Sequence, residues 1–173
     1  YISAYNVQSM VGGTIIALVL ISGILLFVLR SVKIGLLSLV PNLAPVFVAF
    51  GLWGYVFKNV NLAVSVVAAI TLGIVVDDTV HFLAKYMRAR REKGLSPEAA
   101  VADTFRTVGN ALILTTVALV LGFLVLTVSG FAVSSQMGFL SAATLSIALV
   151  ADLTLLPVLL LLIDRERKRA AGP

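Results

Sequence analysis

Five apolar runs, at about 10–29, 34–57, 62–87, 107–128 and 135–163, limit what this chain can fold into. About 20 apolar residues, rising ~1.5 Å each as a helix, cross a ~30 Å hydrocarbon layer. Each run is that long, and a backbone inside lipid must satisfy its own polar groups, so each is predicted to be a helix. The expected fold is an all-α membrane protein, a bundle of five transmembrane helices in a single domain. Composition agrees: 60% of the 173 residues are hydrophobic, and the mean hydropathy of +1.10 excludes an ordinary soluble domain. Cysteine is absent and histidine occurs once, so no disulfide framework, metal site or cofactor is expected. One histidine cannot supply a nucleophile–base pair and a metal cluster, which argues against an enzyme.

The links are short apart from 88–106. There Gly94 is placed to stop the third helix, and Ser96-Pro97-Glu98 reads as a helix start: cap, proline at the first position, acid in the first turn. Val101, Phe105 and Val108 recur at helical spacing, which predicts a short amphipathic helix on the cytoplasmic membrane surface before the fourth span. Residues 164–173 form a basic tail. All but Lys58 of the 13 Lys and Arg fall at one set of run ends, which puts link 88–106 and the C-terminus in the cytoplasm and Tyr1 outside. The net charge of +5 is thus a topology signal, and no nucleic-acid partner is expected. Tyr1 is not Met, and YISAYNVQSM reads as the end of something longer, so the chain is expected to be one half of a larger transporter.

The third run departs from its own pattern. Asp77 and Asp78 stand side by side within it, although an acid at membrane depth costs at least ~2.5–3.5 kcal/mol on insertion scales. His81 lies one turn further on. Ser65, Ala69, Gly73, Asp77 and His81 recur at steps of four, a stripe of small and polar groups of the kind that marks close helix approach in lipid. Gly73 and Ala69 are therefore expected to pack against a helix, and the acids to face protein or a wet cavity. Apart from Lys85 at the basic end of the third, no Lys or Arg lies inside a run, so the two carboxylates have no cation at their depth in this chain and are expected to share at least one proton.

Counting from the cytoplasmic ends, other polar residues reach the same depth of ~12–18 Å. They are Ser22, Asn42 between Pro41 and Pro45, Thr115 and Thr116, and Asp152 above Pro157. Asp77 and Asp78 read as a proton relay. His81, Thr115, Thr116, Asp152 and Asn42 read either as relay or tuning groups or as packing and hydrogen-bonding ones.

Gly73-x-x-x-Asp77-Asp78 resembles the GxxxDD motif of the resistance–nodulation–division (RND) superfamily. The longer string GIVVDDTVHFLAKYMRAR is similar to MMPL-type exporters of hydrophobic and amphiphilic compounds, and the five-span layout resembles a sterol-sensing-type bundle. The resemblance implies twelve spans in two halves, each with a large periplasmic domain after its first span; this chain would be the five spans after one such domain. It also implies an inner-membrane exporter that uses proton influx to move lipids, sterol-like molecules or drugs, with Asp77 and Asp78 matching the relay carboxylates. The implied partners are the bilayer, protons, an amphiphilic substrate, the other transmembrane half and the periplasmic domains, with assembly into an oligomer open. Drug pumps of the superfamily add a Lys in the second half, and mycobacterial members an Asp-Tyr pair. Neither occurs here, so the charge partner stays open. The closing RERKRAAGP resembles a true C-terminus, which favours the second half. Two other readings remain: a non-transporting sterol- or lipid-sensing bundle, and a protein-secretion subunit of the same superfamily.

Overall fold

The computed structural model describes residues 32–57 and 62–170, with isolated positions 12, 16, 19, 20 and 23; its side chains are described over 39–55 and 66–164. Apart from those isolated positions the first expected span, 10–29, lies outside the described residues, and Ser22 and the side chain of Ser65 lie outside them too. Among the described residues every element is helical: α1 Val32–Phe57, α2 Leu62–Arg91, α3 Pro97–Thr104, a π turn Phe105–Gly109, α4 Asn110–Thr127 and α5 Ala132–Ala170. Three stretches are long and apolar enough to cross a membrane, Val66–Arg91, Pro97–Thr127 and Ala132–Asp164; Leu39–Tyr55 is a shorter apolar segment.

The apolar period explains the packing. On α2 the buried residues Val67, Thr71, Val75, Thr79, Phe82, Leu83, Tyr86 and Ala89 recur at three- and four-residue steps, one continuous face. Its threonines cost little there, because each hydroxyl bonds the carbonyl one turn back: Thr71 to Val67 at 2.7 Å and Thr79 to Val75 at 3.2 Å. Helix α5 is the centre of the bundle and packs against α1, α2 and α4. Phe82, Leu83, Tyr86, Ala100, Leu112, Leu156 and Leu160 form one core. Trp53, Ala49, Val67 and Leu140 form another, where α1, α2 and α5 meet.

The long link begins as its residues predict. Gly94 takes a left-handed φ of +62°, and the Leu95 amide donates back to the Ala89 carbonyl at 3.3 Å. Ser96 is extended, and its Oγ accepts the Ala99 amide at 3.2 Å, with Pro97 opening the helix. Beyond α3 the chain departs from expectation, because the short surface helix and the fourth span are not separate. Gly109, the only glycine at the junction, keeps a helical φ of −56°, and the π turn carries α3 into α4 without a break. The physical reason is the partner of the amphipathic face. Ala100 and Thr104 are fully buried, and the Phe105 ring meets Phe82 edge-on at 5.3 Å, so this face packs on α2. The helix that holds the fifth run begins at Ala132 and continues through part of the basic tail to Ala170.

The C-terminal ends of α2 and α5 are tied together. Tyr86 Oη donates to Asp164 Oδ2 at 2.6 Å, and Arg90 Nε donates to the same oxygen at 3.0 Å. Arg90 Nη1 also donates to the Leu95 carbonyl, which draws in the link. After the turn at 128–131, α5 passes close against α4 at Gly138. A Cβ there would stand 2.5 Å from the Phe123 carbonyl oxygen and 2.8 Å from Leu126 Cβ.

Backbone cannot yield as a side-chain tip can. Gly138→Ala is therefore expected to destabilise the bundle by ~1–3 kcal/mol. Gly122→Ala, which meets nothing within 4 Å, is expected to be neutral or to gain up to ~1 kcal/mol of helix propensity. Unfolding of both variants in micelles checks the pair.

Candidate functional site

Adjacent residues on a helix point ~100° apart, and the bundle uses that angle to send the two acids to different places. Asp78 is partly buried and accepts a hydrogen bond from Thr116 Oγ1 of α4 at 3.1 Å. Asp77 turns outward with 73% of its side chain exposed; its Oδ1 lies 3.6 Å from Nε2 of His81, itself 65% exposed. Both acids and His81 line a cleft of about 280 Å³ between α2 and α4, walled by Ile74, Val108, Ala111, Leu112, Thr115 and Leu119.

Behind the cleft a second polar group crosses the bundle. Thr79 Oγ1 lies 2.5 Å from Asn42 Oδ1 of α1 and 2.9 Å from Asp152 Oδ1 of α5. All three residues are at most 2% exposed. Four described helices thus bring polar side chains to one layer: Asn42, Asp78 with Thr79, Thr116 and Asp152.

The remaining expected residues fall on either side of that layer. Thr115 faces the cleft, and its hydroxyl bonds its own helix, at Ala111 O (2.9 Å) and Leu112 O (3.1 Å). Ala69 and Gly73 are exposed, and a Cβ on Gly73 would meet nothing within 4 Å. Neither packs against a helix among the described residues. The buried face of α2 is centred on Thr79, which leaves Ala69 and Gly73 uncovered by the described residues, while Asp77 and His81 open on the cleft.

The helical bundle and its intramembrane acid pair agree with sequence comparison, in which the model of the MMPL family matches residues 2–172. The chain belongs to the MMPL family. It is thereby a membrane protein of the RND superfamily, whose MMPL members are transporters. It is also 28% identical over 153 residues to MJ1562 of Methanocaldococcus jannaschii, whose name describes it as a membrane protein. That match covers 88% of this MMPL chain and 39% of the relative, so the chain spans well under half of the length of the relative it matches.

Reasoning from sequence passed over Thr79, Tyr86, Arg90 and Asp164 in this MMPL chain. A signal for Thr79 was present. Thr71 and Thr79 lie eight residues apart on the face of Val67 and Val75, and two buried acceptors, Asn42 and Asp152, need a donor opposite them. Asp164 gave no such signal, since at the end of a run it reads as a solvated terminus.

The two neighbouring threonines separate the layer from its surroundings. Thr116→Val is expected to cost ~0.5–1.5 kcal/mol through the lost bond to Asp78. Thr115→Val, at an exposed site, is expected to stay within about 0.5 kcal/mol. Denaturation of the two variants in one detergent distinguishes them.

Proposed function

We propose that this chain is a transmembrane half of a proton-driven exporter of lipids or other hydrophobic or amphiphilic molecules. It lies in the cytoplasmic membrane with link 88–106 and its C-terminus inside. The reading rests chiefly on one observation: both acids open on one cleft, Asp77 exposed in it and Asp78 partly buried and bonded to Thr116. Intramembrane acids are functional by default, because their insertion cost persists only where the charge is used.

In this reading Asp77 exchanges a proton with water in the cleft, whose volume has room for several molecules at about 30 Å³ each. His81 stands one turn away, with Nε2 3.6 Å from Asp77 Oδ1. The proton then passes to Asp78, and its arrival changes what Thr116 of α4 is bonded to. Protonation is thereby coupled to the position of a neighbouring helix, which an exporter needs in order to alternate its access. Asp152 carries the same coupling on to α5.

The exposed small residues Ala69 and Gly73 are where the other transmembrane half docks, since they allow close approach. The substrate is selected by periplasmic domains of the full-length protein, and the substrate class rests on the family alone.

The test is efflux of a fluorescent amphiphile by the full-length protein in proteoliposomes under an imposed pH gradient. Asp77→Asn and Asp78→Asn are each expected to reduce it to the level of empty vesicles, while insertion and helix content stay normal. Normal efflux in both variants would contradict the relay.

A further inference from the structure

The hydroxyl of Thr79 has one hydrogen and three acceptors around it: Asn42 Oδ1 at 2.5 Å, Asp152 Oδ1 at 2.9 Å and the Val75 carbonyl at 3.2 Å. Beside this surplus of acceptors, Nδ2 of Asn42 is buried and has no partner among the described residues. A surplus of acceptors next to an idle donor marks one of two arrangements that the same side chains can adopt.

In the first arrangement Asp152 carries a proton and donates it to Thr79 Oγ1, and Thr79 in turn donates to Asn42 Oδ1. This matches the observed orientation, with Nδ2 left over. In the second, Asp152 is ionised and accepts from Thr79. The Asn42 amide turns by a half rotation, so that Nδ2 donates to Thr79 Oγ1. Each arrangement bonds Thr79 fully to both neighbours, and neither needs the backbone to move. The first leaves a buried N–H unmet, at ~1–3 kcal/mol; the second meets it at the expense of a buried charge.

We infer that Thr79 is a donor-direction switch: a proton leaving Asp152 on α5 reverses the hydrogen bonds on Thr79 and turns the Asn42 amide on α1. No atom is gained or lost apart from the proton that leaves Asp152. The inference deepens the exporter reading, because it rests on Asp152 exchanging a proton. It names how that exchange is read by a helix that bears no titratable group in the layer. Among the helices packed against Asp152, α2 faces it with Asp78, which acts on it electrostatically, and with Thr79. Helix α1 presents Asn42 to Thr79, and α4 presents Thr116 to Asp78. Helix α1 is well made to respond. Pro45 has no N–H to give the Pro41 carbonyl, so the ladder is already interrupted beside Asn42.

The test is infrared difference spectroscopy of the full-length protein in lipid nanodiscs, titrated from acid to alkaline. The carboxyl band of Asp152 is assigned by its loss in Asp152→Asn, and the Asn42 amide band by isotope-labelled asparagine and its loss in Asn42→Ala. In wild type and in Thr79→Ser, which keeps the hydroxyl, both bands are expected to change with one midpoint. In Thr79→Val the carboxyl band is expected to titrate while the amide band stays still; Thr79→Ala serves if the valine variant does not insert. The switch is overturned if the amide band still tracks the carboxyl without the Thr79 hydroxyl. It is equally overturned if the amide band is static in wild type, or if Asp152 does not titrate. None of these readouts uses Asp77 or Asp78, so the switch and the relay fail separately.

Discussion

A polar side chain inside a bilayer must find its partner in protein, since the lipid offers none. That constraint organises this structure. The apolar runs are interchangeable lengths of helix until their polar residues are counted; then each polar group selects a neighbour. Asp78 selects Thr116 and thereby ties α4 to α2 at the cleft. Thr79 selects Asn42 and Asp152, and so fixes α1 and α5 on the far side of the same helix. The tie of Tyr86 and Arg90 to Asp164 repeats the logic at the C-terminal ends of α2 and α5. Packing of leucines fills the volume between these points. In lipid, apolar contact gains dispersion energy without the expulsion of water that drives soluble folding.

Helix α2 has two polar faces, and they differ in kind. The face around Thr79 is closed and its bonds are short. The face of Asp77 and His81 is open and its one polar contact is loose, at 3.6 Å. A helix with a locked side and an open side can take a charge from water on one and register it on the other. The adjacency of the two acids is what joins the faces, because no other pair of positions on one helix is so close in sequence yet so different in direction.

Much of this could be read from residue order. Periodic hydropathy placed the described helices, and Ser96 with Pro97 marked a helix start that the structure reproduces in its hydrogen bond. Depth counting put Asn42, Thr116 and Asp152 level with the acids, and cross-helix bonds now connect them. What the sequence could not show was direction. Which of two adjacent acids faces inward depends on where neighbouring helices sit, and that is a long-range property. The merging of α3 into α4 escaped for a related reason: an amphipathic face says that it will be covered, and does not say whether by lipid headgroups or by Phe82. Gly73 and Ala69 show the same limit, since a stripe of small residues permits a partner without supplying one.

The central claim is that neighbouring acids look into different surroundings, and water access tests it most directly. Asp77→Cys and Asp78→Cys variants of the full-length protein, reacted with a water-soluble maleimide, report on each position in turn. The account predicts faster labelling at position 77, exposed in the cleft, than at position 78, which lines the same cleft but is partly buried against Thr116. Equal rates at the two positions, or faster reaction at 78, would contradict it.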